Sequence, residues 1–95
     1  MACYVIADMN ITNPEQFAEF IEVTPATVQR YGGKYLIRGG SFAVAQGDWT
    51  PGRLVVIEFA GVGQARAWFD SPEFERPKEI QARSSNSNFV FVEGV

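Results

Sequence analysis

The chain has 95 residues, of which 46% are apolar and 14% aromatic, with a net charge of −3. That is one domain's length with ample material for a packed core, so disorder is excluded. A mildly acidic balance disfavours nucleic-acid and polybasic membrane binding, both of which need clustered Lys and Arg.

Cys3 is the single cysteine, which rules out an internal disulfide and suits a reducing cytoplasm. No apolar run approaches the roughly 18 to 20 residues of a membrane span. The N-terminus lacks a basic start and has a strand's composition, so it reads as mature protein. Residues 3–9 (CYVIADM) are β-formers in partial alternation and predict the first strand. Asn13, Pro14 and Gln16 then form a helix start, with Asn13 as cap and Pro14 in the first position. Phe17, Phe20, Ile21, Thr24, Val28 and Tyr31 follow at spacings of three and four, one stripe of a helix. Pro25 predicts a kink near its middle and Gly32-Gly33 its end.

Residues 34–38 (KYLIR) predict a second strand. The glycine pair Gly39-Gly40 interrupts it, and residues 41–46 (SFAVAQ) are expected to resume it. Residues 47–52 (GDWTPG) read as a hairpin loop and 53–60 (RLVVIEFA) as the third strand. A short helix is predicted over 64–70. Ser71 caps the next one with Pro72 in first position, and Pro77 should distort it. Residues 88–93 (NFVFVE) form the last strand. Strand, helix, strand, strand, helix, strand predicts a single α+β domain of ferredoxin-like βαββαβ plan. Its four-stranded antiparallel sheet carries both helices on one face.

An antiparallel sheet covered on one side should alternate apolar with polar residues. Here Leu54 and Val56 oppose Val55, Ile57 and Phe59, and Val90 and Val92 oppose Phe89 and Phe91. Both faces are apolar and the helices cover one. A second copy is the economical cover for the other, which predicts a homodimer through the sheet face.

The motifs GGKYLIRGG (32–40), GDW (47–49), VVIEF (55–59), ARAWFDSPEF (65–74) and the terminal VEGV resemble the domain of unknown function 1330 family over nearly the whole chain. The resemblance implies a ferredoxin-like fold in the dimeric α/β-barrel superfamily. That superfamily includes cofactor-independent monooxygenases, haem-degrading enzymes and small-molecule-binding domains. The family itself carries no established activity. Its members often have tyrosine at the position of Phe74 and arginine near Gln81, and Arg83 is the candidate to replace the latter.

Glu58 stands in a run whose two faces both read as buried, where a carboxylate must be paired or protonated. It is either a general base with a raised pKa or the structural partner of an arginine. Arg38, just before the glycine pair, suits a carboxylate or enolate, or else pairs with Glu58. These two are the candidate catalytic residues. Trp68, through its indole N–H, Ser71, and Arg83 are candidate ligand contacts, with helix capping the plainer role for Ser71. Trp49 reads as loop or dimer packing.

The chain has no histidine and one cysteine, so no metal site, haem or other cofactor is expected. The functional expectation is a small-molecule-binding domain, with or without cofactor-independent enzymatic activity of monooxygenase or proton-transfer type. The alternative is a non-catalytic dimerisation or regulatory module in which Arg38 and Glu58 neutralise each other. A pocket of at least roughly 300 Å³ holding both groups apart would favour the first.

Overall fold

The computed structural model describes residues 1–95. Its elements are β1 (Cys3–Ile11), α1 (Pro14–Arg30), β2 (Lys34–Arg38), β3 (Arg53–Phe59), α2 (Val62–Phe69), α3 (Pro72–Ser84) and β4 (Ser85–Glu93). The strands form one antiparallel sheet in the order β2-β3-β1-β4. This is the βαββαβ plan that the sequence predicts.

The register decides which side chains meet the helices. Cys3 pairs with Phe59, Val5 with Ile57 and with Phe91, and Ala7 with Val55 and with Phe89. Cys3, Val5, Ala7 and Met9 are buried beneath the helices, as are Val55, Ile57 and Phe59. One residue over, Tyr4, Ile6, Leu54, Val56, Val90 and Val92 form the opposite face, which no element of the chain covers. Val90 and Val92 are 50% and 43% exposed there.

An aromatic chain locks the helices to the sheet. Trp68 lies 5.6 Å from Phe59 and 4.3 Å from Phe74, ring centre to ring centre. Phe74 reaches Phe20 of α1, and Phe20 reaches Phe17. Burying each such ring stabilises by about 1.5–3 kcal/mol, so this cluster is the energetic centre of a small domain. Asn13 caps α1 by accepting from the Gln16 amide, and Gly32 takes the positive φ that ends it.

Two expectations need correction, in residues 41–46 and at the start of β4. Helix α1 is continuous through Pro25, and α3 through Pro77. Proline inside a helix costs about 3 kcal/mol, and Pro77 is itself buried, which offsets part of that. Residues 41–46 form no strand at all, because no neighbour in this chain offers them a ladder. Strand β4 starts at Ser85, three residues earlier than predicted, because Ile11 of the longer β1 pairs with it.

At the ends of α1 and α3, Glu73 accepts a 2.7 Å hydrogen bond from the Tyr31 hydroxyl and a 2.7 Å contact from Arg30 Nε. The Tyr31 hydrogen bond, helped by Arg30, holds the Glu73 carboxyl below its ordinary 4.5. The same bond raises the Tyr31 phenol above 10.0. A lowered carboxyl stabilises the fold above its unfolded pKa and loses that contribution as pH falls through its folded value. A raised phenol does the reverse, losing its contribution as pH climbs past 10.0. Melting curves of wild type and Tyr31→Phe should therefore differ most near neutral pH and converge below about pH 4 and above about pH 10. A constant gap across that range would remove this contact from the stability of the fold.

Candidate functional site

Between α1 and the sheet lies a cleft lined by Phe20, Ile21, Thr24 and Pro25 of α1, Met9 of β1, Tyr35 and Arg38 of β2, Arg53, Val55 and Ile57 of β3, Trp68, and Phe89. Its cavity volume is about 30 Å³, room for little more than one water. A larger guest needs the cleft to open, and Arg38, which is exposed, is the wall most free to move.

Two arginines stand in this apolar setting. Arg53 follows the core-facing parity of Val55 and Ile57, so β3 turns it inward. A bulge between Tyr35 and Ile37 shifts β2 by one residue and brings Arg38, opposite Val55, to the same side. Burial, reinforced by the like charge of Arg38, lowers the Arg53 pKa. The Arg38 guanidinium also stacks 5.1 Å from the centre of the Tyr35 ring. Burial raises the Tyr35 phenol, which therefore stays protonated and able to donate at neutral pH.

No carboxylate answers this charge. The ion pairs of the protein involve Arg30, Arg76, Lys78 and Arg83, and neither Arg38 nor Arg53. Two buried side-chain polar atoms lack any hydrogen-bond partner, Arg53 Nε and Thr24 Oγ1. Both residues line this cleft. Buried polar groups are nearly always bonded, and leaving one unmet costs about 1–3 kcal/mol.

The expected pair, Arg38 and Glu58, does not meet. Glu58 follows the parity of Leu54 and Val56 and lies on the uncovered face, where it accepts a 3.1 Å hydrogen bond from the Tyr4 hydroxyl. One residue along β3 separates the two faces, so mutual neutralisation and a shared pocket are both ruled out within a protomer. Trp68 contributes its ring to the cleft, but its indole N–H is committed to Thr27 Oγ1 at 3.0 Å. Ser71 caps α3, donating to the Trp68 carbonyl and accepting from the Phe74 amide. Arg83 lies on the outer side of α3, 3.8 Å from Glu79 and outside the cleft. Phe74 packs wholly inside the aromatic core, and Gln81 bonds Ser85 and the Lys78 carbonyl.

Sequence reasoning passed over Arg53, Tyr35 and Thr24. A signal for Arg53 exists, since an arginine in step with Val55, Ile57 and Phe59 must share their face. The uncovered face has a second, shallower hollow of about 270 Å³ between Ile6, Asp8, Trp49, Leu54, Asn88 and Val90. There the Trp49 indole donates to Asp8 at 2.8 Å. No three His, Cys, Asp or Glu side chains gather as a metal site, and no helix is long and apolar enough to cross a membrane.

A family model described as "Domain of unknown function (DUF1330)" matches residues 2–95, and the chain belongs to that family. No curated protein matches it. Among solved structures, it is similar to RPA0582, a protein of unknown function from Rhodopseudomonas palustris. The identity is 13% and the TM-score 0.78, covering 99% of this chain and 82% of that one. It is also similar to SnoaB, a cofactor-independent oxygenase from Streptomyces nogalater, at 13% identity and TM-score 0.68, covering 99% and 93%. A dimeric ferredoxin-like protein of unknown function from Thermobifida fusca matches at 18% identity and TM-score 0.61, covering 99% and 92%. At these identities the likeness shows the fold.

Arg53→Met keeps a comparable unbranched stem and removes an unmet donor and a like-charge neighbour. It should stabilise the unliganded protein by about 1 kcal/mol, a rise in melting temperature of about 4–8 °C. A fall of that size would mean that Arg53 has a partner in the folded protein.

Proposed function

We propose that the protein is a dimeric barrel domain that binds a small, flat organic anion beneath α1, with Arg38 and Arg53 as its clamp. One observation carries this reading: the two buried polar atoms without partners, Arg53 Nε and Thr24 Oγ1, belong to residues that line one apolar cleft, whose wall also includes Arg38, and neither arginine has an ion-pair partner. A carboxylate, enolate or phenolate would meet those donors in the planar geometry a guanidinium prefers. The rings of Tyr35, Phe20, Trp68 and Phe89 suit an aromatic or otherwise flat body.

The likeness to a cofactor-independent oxygenase supports a chemical extension. Two cations beside an apolar cleft favour the ionised, electron-rich form of an acidic ligand. That form is the one able to react by proton transfer or directly with dioxygen. The cleft lining includes no carboxylate or imidazole, so the ligand would arrive as its anion. Glu58 stands outside this chemistry and is assigned to the opposite face. The regulatory alternative keeps the same cleft and ligand without turnover.

The uncovered sheet face is the proposed dimer surface, supported by its apolar Ile6, Leu54, Val56, Val90 and Val92 and by dimeric structural neighbours. The one buried free thiol, Cys3, fits a cytoplasmic setting.

A panel of aromatic and keto acids tests the site. A ligand at about 100 times its Kd adds about 2.7 kcal/mol and should raise the melting temperature by about 10–20 °C. The double variant Arg38→Ala/Arg53→Met should show no shift, and an undiminished shift there would place the ligand elsewhere. For the dimer, sedimentation should give two chains per particle at micromolar concentration. Val90→Asp should weaken association by about 10- to 100-fold, since it buries a charge without a partner. A wild-type monomer under those conditions would refute the sheet-face assembly.

A further inference from the structure

Thr24 is 4% exposed and lies in the middle of α1, one residue before Pro25. A hydroxyl buried in a helix ordinarily donates to a carbonyl three or four residues back. The other buried helix hydroxyls do so. Thr27 Oγ1 donates to the Thr24 carbonyl at 2.7 Å, and Ser84 Oγ to the Ile80 carbonyl at 2.6 Å. The Phe20 carbonyl stands four residues before Thr24, yet Thr24 Oγ1 bonds neither it nor anything else. The backbone at this point is firmly held, because the Trp68 indole donates to Thr27 Oγ1 at 3.0 Å and Thr27 in turn to the Thr24 carbonyl. Only the hydroxyl is left over.

Ile21, Thr24 and Pro25 share the cleft lining. Pro25 has no N–H to give the Ile21 carbonyl, so that acceptor lacks its regular donor too. The cleft therefore has two unlike walls. Its sheet wall carries the charge, on Arg38 and Arg53. Its helix wall carries none, and offers an unmet hydroxyl beside a carbonyl short of a donor. A second carboxylate would find no cation on the helix wall and would be desolvated without a partner. A ligand hydroxyl fits it, since one O–H both accepts from Thr24 and donates in turn.

We propose that the helix wall reads a second, neutral oxygen: the site takes a flat aromatic acid that carries a ring hydroxyl, with the carboxylate on Arg38 and Arg53 and the hydroxyl against Thr24. The inference rests on the anion-binding reading put forward above and narrows it to hydroxylated acids. An acid without the hydroxyl leaves Thr24 as unmet as it is in the empty cleft. Discrimination then comes from a buried group left without a partner, which separates ligands more sharply than one methylene more or less of apolar contact. The body between the two oxygens is flat because the rings of Phe20 and Tyr35 line the same cleft.

Matched pairs of benzoates and naphthoates that differ by one ring hydroxyl test this by titration calorimetry. At least one hydroxylated acid should bind wild type about tenfold or more tightly than its parent. Thr24→Val keeps the branched shape without the hydroxyl and should bring that acid's affinity down to its parent's, and Thr24→Ser should restore the gap. Parents and hydroxylated acids that bind wild type alike overturn the inference, a water meeting Thr24 instead, and leave the anion reading standing. A preference that survives Thr24→Val overturns the assignment to Thr24. If wild type binds none of these acids the inference falls, and the keto acids of the panel above decide whether the anion reading falls with it. The unliganded Thr24→Val protein gives a second measurement: it should melt about 4–8 °C above wild type, having lost an unmet buried group. A lower melting point would mean that the hydroxyl has a partner inside the chain, and would overturn the inference as well.

Discussion

Three helices cover one face of a four-stranded sheet whose two faces are both apolar, and this imbalance governs the rest of the molecule. On the covered side, aromatic rings from α1, α2 and α3 interlock with Phe59 and set the spacing of helices and sheet. On the other side, valines, Leu54 and Ile6 stand without a lid. A domain of this size buries only a modest fraction of its chain, so shedding several exposed apolar side chains is a large share of its stability margin. The proposed association would give such a chain a complete core.

Within that frame the cleft under α1 is the place where the protein departs from good packing. Every other buried side-chain polar atom finds a partner, while Arg53 and Thr24 present one each that does not. Two guanidiniums share an apolar cleft with no acid between them, which raises the energy of the empty state. Under the reading proposed above, an anion of the right shape would relieve that strain, so the destabilising feature would also be the binding feature. The cleft is narrow, and Arg38 sits at its exposed rim.

The loop between β2 and β3 joins the two faces. It begins at Arg38 and ends at Arg53, and its anchor, Asp8, lies on the uncovered face. A loop built this way connects the cleft under α1 on one side of the sheet with the uncovered face on the other. Asp8 and Trp49 therefore matter for geometry although neither touches the cleft.

Local pattern alone determined the element order, the helix caps at Asn13 and Ser71, the inward stripe of α1 and the two-sided apolar strands. These follow from periods of 3.6 and 2 and from turn chemistry, which act over a few residues. What only the tertiary structure decided was register and neighbourhood. Glu58 and Arg38 look like partners in the sequence, but the parity of β3 and the bulge in β2 send them to opposite faces. Arg53 shares the parity of Val55 and Ile57 in the sequence, but only the packing of α1 over that face sets it in one cleft with Thr24. The stretch 41–46 has a strand's composition, but a strand needs a neighbour, and that neighbour is not encoded next to it. Such facts depend on contacts between residues far apart in the chain, and no short window of sequence contains them.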